Sequence, residues 1–583
     1  MTGVVAGRFP DVRVSASVLS SGLGSVGDSA GLRKARGAFF TPVELARYIS
    51  RWALRTATDR VLEPSCGEAA FLLAAAGRLD ELGASAVVGQ LVGAELHPVS
   101  AARAQRAVAQ AGWPVSITVG DFFALPRARE FDAVVGNPPF VRFQGFHGSS
   151  RAAGRQAALA GGVGLTGLAS SWAAFTVHSA EFVRPGGRLG LVLPAELLTV
   201  NYAAQVRRYL MERFGRVRLV VFTERVFPGV LEEVVLLLAE DALSPGGTDH
   251  CELLQVGSAT DLARQLDEPH TRHTWRPTDT SAKWTPALLT APALQVYGPL
   301  VTGPHSTPLL SWGETTLGAV TGRNAYFALS PARAARLRLA PHETLPLSPP
   351  GSRHLRGLSV SAARWRELGA AGSATLLFRP GPDRAALSAG ARSYLRGGER
   401  DGIDQAYKCR VRSPWWQVPV SDPADLLLTY MNADTPRLTT NTVGVRHLNS
   451  VHGVYLRPEL RELGRELLPL ASLNSLTLLG AELVGRAYGG GMLKLEPREA
   501  DQLPVPTPEL VRAASAALRA RRPAVRAALA RGDLLGAVRH IDQVLLREHM
   551  ALPEGDHAEL VAAHAVMTAR RVARGATRLR PEA

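Results

Sequence analysis

The chain of 583 residues contains only three cysteines, which lie at positions 66, 251 and 409. They form no CxxC pair and no even framework, so the sequence predicts neither a zinc site nor disulfides. His447 and His452 have no clustered partner and are interpreted as surface or structural residues. A few scattered thiols and no expected metal are typical of a protein from a reducing compartment.

Long apolar runs are also absent, because no uninterrupted stretch reaches the length of about 20 residues that a membrane helix needs. Residues 1–30 are rich in Ser and Gly and lack the apolar core of a secretory signal. We therefore expect a soluble, cytoplasmic protein that has no membrane partner.

Lysine is scarce, since it occupies four of the 66 basic positions and the other 62 are arginine. The net charge is +15, which favours a polyanionic partner. The arginine guanidinium can form two parallel hydrogen bonds with a phosphate or with the edge of a guanine, so the high arginine content suits a nucleic-acid partner. A GC-rich genome would also enrich Arg, Ala and Gly. Because of this alternative, we discount about half of the argument from arginine content to a nucleic-acid partner.

The chain divides by composition into five segments. After a flexible start (1–36), residues 37–242 alternate short apolar runs with helical patterns, which predicts an α/β domain with a parallel sheet. Residues 243–307 are interpreted as a linker, 308–507 as a mixed α/β domain and 508–583 as a helical C-terminal region. The arginines at its end are interpreted as a frayed, solvated helix, with phosphate binding as the alternative: Arg570, Arg571, Arg574, Arg578 and Arg580.

The segment Phe131–Phe140, FDAVVGNPPF, runs from a short apolar strand into Asn137, Pro138, Pro139 and Phe140. An Asn side chain and backbone carbonyls accept hydrogen bonds from an amine, and two prolines hold the turn rigid. The Phe ring offers a flat face for stacking on a base. The pattern indicates a site for the exocyclic amine of a planar heterocycle; the alternative is a plain strand-ending turn.

Other polar segments also follow predicted strands. Residues 63–67, EPSCG, form a tight loop between the first strand and an amphipathic helix. In a doubly wound sheet this loop lies beside the switch point, where ligands bind to backbone N–H groups. Glu95 and Asp121 close the next two apolar runs, and each by itself would be a solvated strand-end acid. Their common position at strand ends predicts one pocket.

Upstream, Thr41 and Pro42 precede a helix near Val43, with Thr41 as the predicted N-cap. The order GAFFTP, loop, NPPF and long C-terminal region resembles the gamma class of amino-methyltransferases, best known from adenine-N6 DNA methyltransferases. This resemblance covers residues 33–240. It implies a class I AdoMet-dependent methyltransferase, a Rossmann-like α/β fold with a seven-stranded mixed sheet. Ala69 stands where the family commonly has a second glycine.

The resemblance also implies S-adenosylmethionine (AdoMet) as cofactor and a role for individual residues. The implied cofactor-binding residues are Thr41, Glu63, Ser65, Cys66, Gly67, Glu95, Leu96, Asp121, Phe122, Asn137 and Pro139. In the family, the residues at Glu95 and Asp121 bind the ribose and the adenine of the cofactor. The implied catalytic residues are Asn137, Pro138, Pro139 and Phe140, with Phe140 and Phe227 stacking on the target base.

The C-terminal domain carries two further resemblances, to segments of target-recognition domains in adenine methyltransferases. These are Thr321–Phe327 and Tyr488–Pro497, which would otherwise be structural turns. Between them, Tyr407–Trp416 mixes basic and aromatic residues, which suits DNA, although a Trp-Trp pair is more often core. Residues 141–170 are either a mobile loop that closes on DNA or a surface insertion.

The sequence thus predicts a site-specific enzyme that methylates the N6 amine of an adenine flipped out of double-stranded DNA. Methylation of RNA or of a protein glutamine amide, and a catalytically dead DNA-binding module, are the alternatives. The motif does not separate adenine N6 from cytosine N4. No nuclease motif stands out, so we expect a modification enzyme of the prokaryotic nucleoid, alone or beside a separate restriction endonuclease. The sequence does not determine whether it is a monomer or a dimer.

Overall fold

The computed structural model describes residues 41–143, 145–222, 226, 233–264, 273–277, 279–488 and 490–576. The chain divides into two compact units, which are unit 1 (Met1–Leu288) and unit 2 (Leu289–Ala583). Each unit has buried apolar clusters of its own.

The described strands of unit 1 form one nine-stranded sheet, in the order β3-β2-β1-β4-β5-β7-β6-β8-β9. Strands β1 to β5 are parallel, whereas β7 runs antiparallel to both β5 and β6. The order reverses between β1 and β4, which creates a crevice at their carboxyl ends. The strands are β1 (Val61–Glu63), β2 (Leu91–Glu95), β3 (Val115–Val119), β4 (Phe131–Gly136), β5 (Val183–Pro194), β6 (Phe214–Phe222), β7 (Val234–Ala242), β8 (Cys251–Val256) and β9 (His273–Trp275).

Helices cover the sheet of unit 1. Helix α1 buries Leu45 and Ile49 in the same apolar cluster as Leu236 of β7, because residues four apart share one helix face. The helices are α1 (Val43–Ala53), α2 (Ala70–Glu81), α3 (Pro98–Gln110), α4 (Gly148–Ala160), α5 (Ser171–Ala180), α6 (Glu196–Thr199), α7 (Ala204–Arg213) and α8 (Ala259–Arg264).

Two expectations about this unit are corrected. The predicted linker 243–307 contains β8 and β9, so the described sheet has nine strands instead of seven. Strand β8 pairs with β6 over six residues and buries Leu253 and Leu254, yet it is short and flanked by polar residues, which hides its pattern in the sequence. Within 141–170, the 13-residue helix α4 stands where a mobile loop or insertion was expected.

Unit 2 is a mixed α/β body, as the sequence predicts for residues 308–507. Its main sheet has the order β11-β19-β16-β18-β14, and smaller sheets pair β10 with β22, β12 and β13 with β15, and β17 and β20 with β21. The strands are β10 (Ser306–Pro308), β11 (Gly313–Leu317), β12 (Ala328–Leu329), β13 (Thr344–Pro346), β14 (Ser359–Val360), β15 (Leu376–Phe378), β16 (Leu426–Thr429), β17 (Met431–Asn432), β18 (Leu438–Asn441), β19 (Val451–Leu456), β20 (Arg486–Tyr488), β21 (Met492–Lys494) and β22 (Pro504–Pro506).

The helices of unit 2 begin before its sheets and continue to residue 576. They are α9 (Ala291–Thr302), α10 (Asn324–Phe327), α11 (Pro331–Arg336), α12 (Ala362–Ala370), α13 (Ala389–Arg400), α14 (Tyr407–Arg410), α15 (Arg461–Ala471), α16 (Ser475–Val484), α17 (Pro497–Ala500), α18 (Pro508–Ala513), α19 (Ser515–Ala530), α20 (Leu534–Asp542) and α21 (Glu554–Ala576). The C-terminal helices share one apolar cluster with β16 and β19, through Leu518, Val525 and Ile541. The predicted helical region is therefore part of the core of unit 2.

The interpretation of the last helix as solvated is wrong at Arg571. Its side chain is only 3% exposed and forms an ion pair with the equally buried Glu482 of α16, at 2.8 Å. The same guanidinium donates to the carbonyls of Ala433, Asp434 and Gly491. A buried charge must be paired and hydrogen-bonded, and here both conditions hold, so this arginine anchors α21.

The three cysteines and the two histidines singled out above lie inside the protein. Cys66, Cys251 and Cys409 are all free and buried, and His447 and His452 are buried too, as structural residues. Among the described residues, no single helix has the length and apolar content to cross a membrane; helices Pro458–Ala471 and Ser475–Val484, bent by 90°, meet those criteria only as a pair.

Candidate active site

Asn137 follows β4 directly and therefore lies at the carboxyl edge of the sheet, next to the switch point. Its Nδ2 donates a hydrogen bond to Thr41 Oγ1 at 3.2 Å. Its Oδ1 is buried and has no hydrogen-bond partner within the part of the chain that the structure describes. A buried acceptor without a partner costs about 1–3 kcal/mol, so this oxygen is suited to accept an N–H from a ligand.

Thr41 does not cap helix α1 as predicted. The N-cap position belongs to Pro42, whose carbonyl accepts from the amides of Leu45 and Ala46 at 3.1 and 3.3 Å, and no side chain caps the helix. The Thr41 hydroxyl is instead directed to Asn137. The predicted cofactor residue thus orients the predicted catalytic amide.

Sequence reasoning missed Ser171, which spans the NPPF turn from helix α5. Its hydroxyl donates to the carbonyl of Pro139 and accepts from the amide of Val141 at 2.9 Å. Its own amide donates to the carbonyl of Val141 at 3.0 Å, and the residue is only 2% exposed. A serine at the start of a helix looks like an ordinary cap in the sequence, and no spacing rule links it to residue 137.

A second unforeseen group lies after β5, at the same edge of the sheet. Glu196 Oε2 accepts from the hydroxyl of Tyr202 at 2.6 Å and from the indole N–H of Trp172 at 3.3 Å. Tyr202 also contacts Ser170 at 3.1 Å. Burial raises the pKa of the Tyr202 hydroxyl, so this group stays a neutral donor that ties α5 to α6.

The loop after β1 has the tight backbone that the sequence predicts. Gly67 and Ala69 both have positive φ, 49° and 69°. Ala69 keeps the left-handed conformation that a glycine adopts more easily, at a cost of about 1 kcal/mol. The Cys66 amide bonds to the carbonyl of Ala94 at 2.9 Å, and Ser65 Oγ contacts the carbonyl of Asn137 at 3.5 Å. The loop therefore lies against both β2 and the NPPF turn.

Glu63 faces inward and holds the start of helix α2. Its carboxylate accepts from the amide of Leu72 at 3.1 Å. Burial raises its pKa well above the usual value, and hydrogen bonds from the first turn of α2 oppose that rise. Burial also raises the pKa of the Cys66 thiol, which keeps it neutral and unsuited to act as a nucleophile.

Glu95, at the end of β2, is fixed by two backbone amides. Its carboxylate accepts from Gly67 N–H and from His97 N–H, both at 2.9 Å. This arrangement connects the acidic residue to the loop after β1. The next residue, Leu96, is 58% exposed, so its apolar side chain is accessible to a ligand.

Asp121 follows β3 and accepts from the amide of Phe123 at 3.0 Å. Phe122 is only 3% exposed and lies in an aromatic cluster. Its ring centroid lies 5.6 Å from that of Phe175, which it stacks on, and 4.7 Å from that of His178, which it meets edge-on. Phe122 is thus a core residue, and its implied role in binding the cofactor stays a prediction. Burial lowers the pKa of His178, which favours the neutral ring in this cluster.

The two predicted stacking residues differ in what the structure describes. Phe140 is half-buried and packs against the main apolar cluster of unit 1. Phe227 lies outside the described residues. Pro138 is buried and Pro139 half-buried, which keeps the turn rigid.

The pocket fits AdoMet by the chemistry of its donors and acceptors. The acids Glu95 and Asp121 follow adjacent strands, and Asn137 Oδ1 lacks a partner among the described residues. The positive φ angles at the loop let backbone amides approach a ligand closely. Within the described part of the chain, no cluster of His, Cys, Asp or Glu could hold a metal ion.

Two family models match this chain. The N-6 DNA Methylase model covers residues 29–244, and the C-terminal domain model of the type II methyltransferase M.Eco57I covers residues 281–546. The two matched segments lie mainly in unit 1 and unit 2, respectively.

Curated relatives match across both units. The type II methyltransferase M.XamI of Xanthomonas campestris pv. amaranthicola is 26% identical, over 81% of this chain and 85% of the relative. M.AccI of Acinetobacter calcoaceticus is 22% identical, over 80% of this chain and 84% of the relative. The type IIL restriction-modification enzyme MmeI, solved in complex with DNA, shares the fold with a TM-score of 0.51, at 12% identity, over 90% of this chain and 75% of that one.

These findings confirm the predicted fold class, enzyme class and cofactor, and they do not favour the RNA or protein alternative. Since the family models and the relatives agree, the chain is an AdoMet-dependent N6-adenine DNA methyltransferase that is similar to the modification enzymes of type II restriction-modification systems.

Proposed function

We propose that this enzyme is of the gamma class and methylates the N6 amine of an adenine that is flipped out of duplex DNA, at one short sequence. The observation that carries the proposal is the buried Oδ1 of Asn137, which has no partner among the described residues and is oriented by Thr41. An acceptor so placed suits an exocyclic amine. Phe140 and Phe227 are the residues that we assign to the two faces of the base.

The chemistry needs positioning and no covalent intermediate. Asn137 Oδ1 and the Pro138 carbonyl accept the two N–H bonds of the target amine, which draws electron density toward nitrogen and orients its lone pair. AdoMet supplies an electrophilic methyl group when it is bound. With a methyl group supplied to its nitrogen in this way, the amine would lose one proton to solvent.

On the cofactor side, we assign the ribose hydroxyls to Glu95 and the adenine amine to Asp121. The amides of Gly67 and His97 fix the Glu95 carboxylate, which leaves its remaining lone pairs for two hydroxyl donors. We assign the exposed side chain of Leu96, the residue after Glu95, to an apolar contact with the cofactor. Residues 63–67 and Thr41 surround the rest of the cofactor.

We further propose a division of labour along the chain. Residues 37–242 carry the chemistry, and residues 308–507 act as the target-recognition domain. The names of the relatives are those of type II methyltransferases. We therefore infer that this chain modifies DNA and works beside a separate restriction endonuclease, in the bacterial cytoplasm where its substrate lies.

The test is to incubate purified protein with labelled AdoMet and, separately, duplex DNA, tRNA and ribosomal protein, and then to map the product. We expect label at adenine N6 in duplex DNA, within one short sequence. Label in RNA or protein but not in DNA would reject the proposal. Label at cytosine N4 would keep the fold and the mechanism but change the target base.

A further inference from the structure

Two segments of unit 2 that are far apart in sequence form one surface. The turn Thr321–Asn324 lies against helix α14 (Tyr407–Arg410). Gly322 has a φ of 88°, and a Cβ at that position would lie 3.0 Å from Cβ of Lys408. Only glycine therefore fits the turn without strain or displacement of α14. We define the basic surface as Arg323, Asn324, Tyr407, Lys408 and Arg410.

Further contacts fix the turn to the segment that follows α14. The Arg412 guanidinium donates to the carbonyls of Thr321, at 2.8 Å, and Val320. The buried Cys409 thiol lies 3.7 Å from the same Thr321 carbonyl. Within the turn, the Thr321 hydroxyl donates to Asn324 Oδ1 at 2.5 Å. The basic surface is thus held in place before any ligand arrives.

Aromatic residues next to the basic surface in the sequence pack against one another and against an apolar cluster of unit 2. Trp416 is buried, and its indole N–H donates to the carbonyl of Gly381 at 3.1 Å. The ring centroids of Trp415 and Tyr326 lie 5.8 Å apart, and Tyr326 stacks on Tyr394 with 4.4 Å between the ring centroids. Trp416 is therefore a core residue, and Trp415 is half-buried and packs against the same apolar cluster, as is usual for a Trp-Trp pair. The basic and aromatic residues of this stretch divide between surface and interior.

The charges of the basic surface lack counter-ions in the described structure. Arg323, Lys408 and Arg410 are exposed, and no ion pair joins them to any residue that the structure describes. Elsewhere in unit 2, Arg384 pairs with Glu399 at 2.8 Å, so free cations are not the general rule. The nearby acid is Asp404, which is half-buried.

Tyr407 adds an aromatic face to these cations. It is 66% exposed, and the Lys408 ammonium lies 5.6 Å from its ring centroid. Exposed aromatic rings beside cations suit a polyanion that also offers flat or apolar groups, such as sugars and bases. Nucleic acid has this combination.

We propose that the basic surface binds the phosphate backbone of duplex DNA and fixes the register in which unit 2 reads the target sequence. Arg323, Lys408 and Arg410 contact phosphates, and the Tyr407 ring packs on a deoxyribose. This inference rests on the proposed function, since DNA is the substrate there. Because the turn and α14 are already held together, binding orders few further groups.

The experiment compares the full-length triple variant R323A/K408A/R410A with the control variant R521A/R526A/R531A. The control removes the same charge from exposed arginines on α19 and the residue that follows it. Binding of a duplex that carries the methylated sequence is measured over a range of salt concentrations. Each phosphate contact contributes about 0.9 to the slope of log affinity against log salt, so the triple variant should lose about 2.7 of that slope.

We expect the triple variant to bind DNA at least about tenfold more weakly near 0.1 M salt, with unchanged AdoMet affinity, while the control matches wild type. If the wild-type enzyme methylates duplex DNA but the triple variant keeps the wild-type salt slope, the proposal for the basic surface is wrong and the proposed function stands. An equal loss in both variants overturns it too, since the effect is then one of net charge. Wild-type protein that binds only RNA overturns the proposed function together with this surface.

Discussion

Asn137 is the residue on which the catalytic assignment depends. We expect Asn137→Ala to lower the rate of methyl transfer by about a thousandfold, because it removes an acceptor that acts mainly in the transition state. Affinity for AdoMet should change little. The measurement is single-turnover transfer to duplex DNA together with calorimetry of AdoMet binding.

Asp121→Ala is the matched variant, since its proposed partner is the cofactor adenine. It should weaken AdoMet binding first and slow transfer mainly through that loss. Near-normal transfer by Asn137→Ala would refute the catalytic assignment, and unchanged AdoMet affinity in Asp121→Ala would show that the pocket is wrongly drawn.

Ser171 acts on the reaction through the NPPF turn and is a positioning residue. Ser171→Ala removes the hydroxyl that joins the Pro139 carbonyl to the Val141 amide. We expect kcat to fall about tenfold because the turn loses its fixed geometry, with the KM for AdoMet nearly unchanged. Steady-state kinetics on a specific duplex measures both constants.

Ser170→Ala is the control for this variant, because the Ser170 hydroxyl contacts Tyr202 and not the NPPF turn. Ser171→Thr keeps a hydroxyl and should recover part of the rate. Equal effects of the two alanine variants on kcat would mean that the serines only stabilise helix α5.

At the scale of elements, the attachment of α21 to unit 2 includes a pH-dependent contact. His557 Nε2 lies 2.9 Å from Oδ2 of Asp542. The hydrogen bond to Asp542 raises the pKa of His557 above the usual value. Asp542 also accepts from the amide and hydroxyl of Ser475, so the same carboxylate joins α16, α20 and α21.

We expect this contact to stabilise unit 2 fully at a pH below the ordinary histidine pKa of about 6.5. The stabilisation should fade as the pH rises through the raised pKa of folded His557, because the folded state then loses the proton that it holds more tightly. His557→Gln should remove that pH dependence, and the difference should be about 1 kcal/mol at low pH. Urea unfolding of both proteins at several pH values measures it.

The neighbouring His564 makes the comparison with His557→Gln necessary. Burial lowers the pKa of His564, so its contribution has the opposite sign and favours the folded state at higher pH. Only the difference between the two proteins isolates His557. A difference that does not vary between acid and alkaline pH would rule out the ion pair as a source of stability.

At the scale of the whole molecule, unit 1 and unit 2 have separate cores, and the predicted AdoMet residues all lie in unit 1. A ligand stabilises the folded state that binds it, by about 2.7 kcal/mol at a hundred times its Kd. We expect AdoMet to raise the temperature of one unfolding transition and to leave the other unchanged. Differential scanning calorimetry with and without AdoMet tests this.

Asp121→Ala provides the control, because its weakened cofactor binding should abolish the shift at the same AdoMet concentration. A single transition that shifts as a whole would show that the two units unfold as one cooperative body. Equal shifts of two separate transitions would show that both units bind the cofactor.

The sequence by itself determined where the predicted site residues lie along the sheet. Glu95, Asp121 and Asn137 each follow an apolar run, and the carboxyl ends of parallel strands meet at one edge, so local pattern and strand direction sufficed to place them together. The tight turn at Gly67 was readable for the same reason, because turn chemistry depends on neighbouring residues.

Tertiary structure alone decided which distant residues support that chemistry. Ser171 is hydrogen-bonded to the NPPF segment, and the Thr41 hydroxyl accepts a hydrogen bond from Asn137 instead of capping helix α1. Arg571 is buried and forms an ion pair with Glu482. Each contact links residues about 30 to 100 positions apart, and an isolated serine, threonine or arginine has the same local pattern whether it is buried or exposed. Burial and long-range pairing depend on how the whole chain packs, and so only the folded structure could assign them.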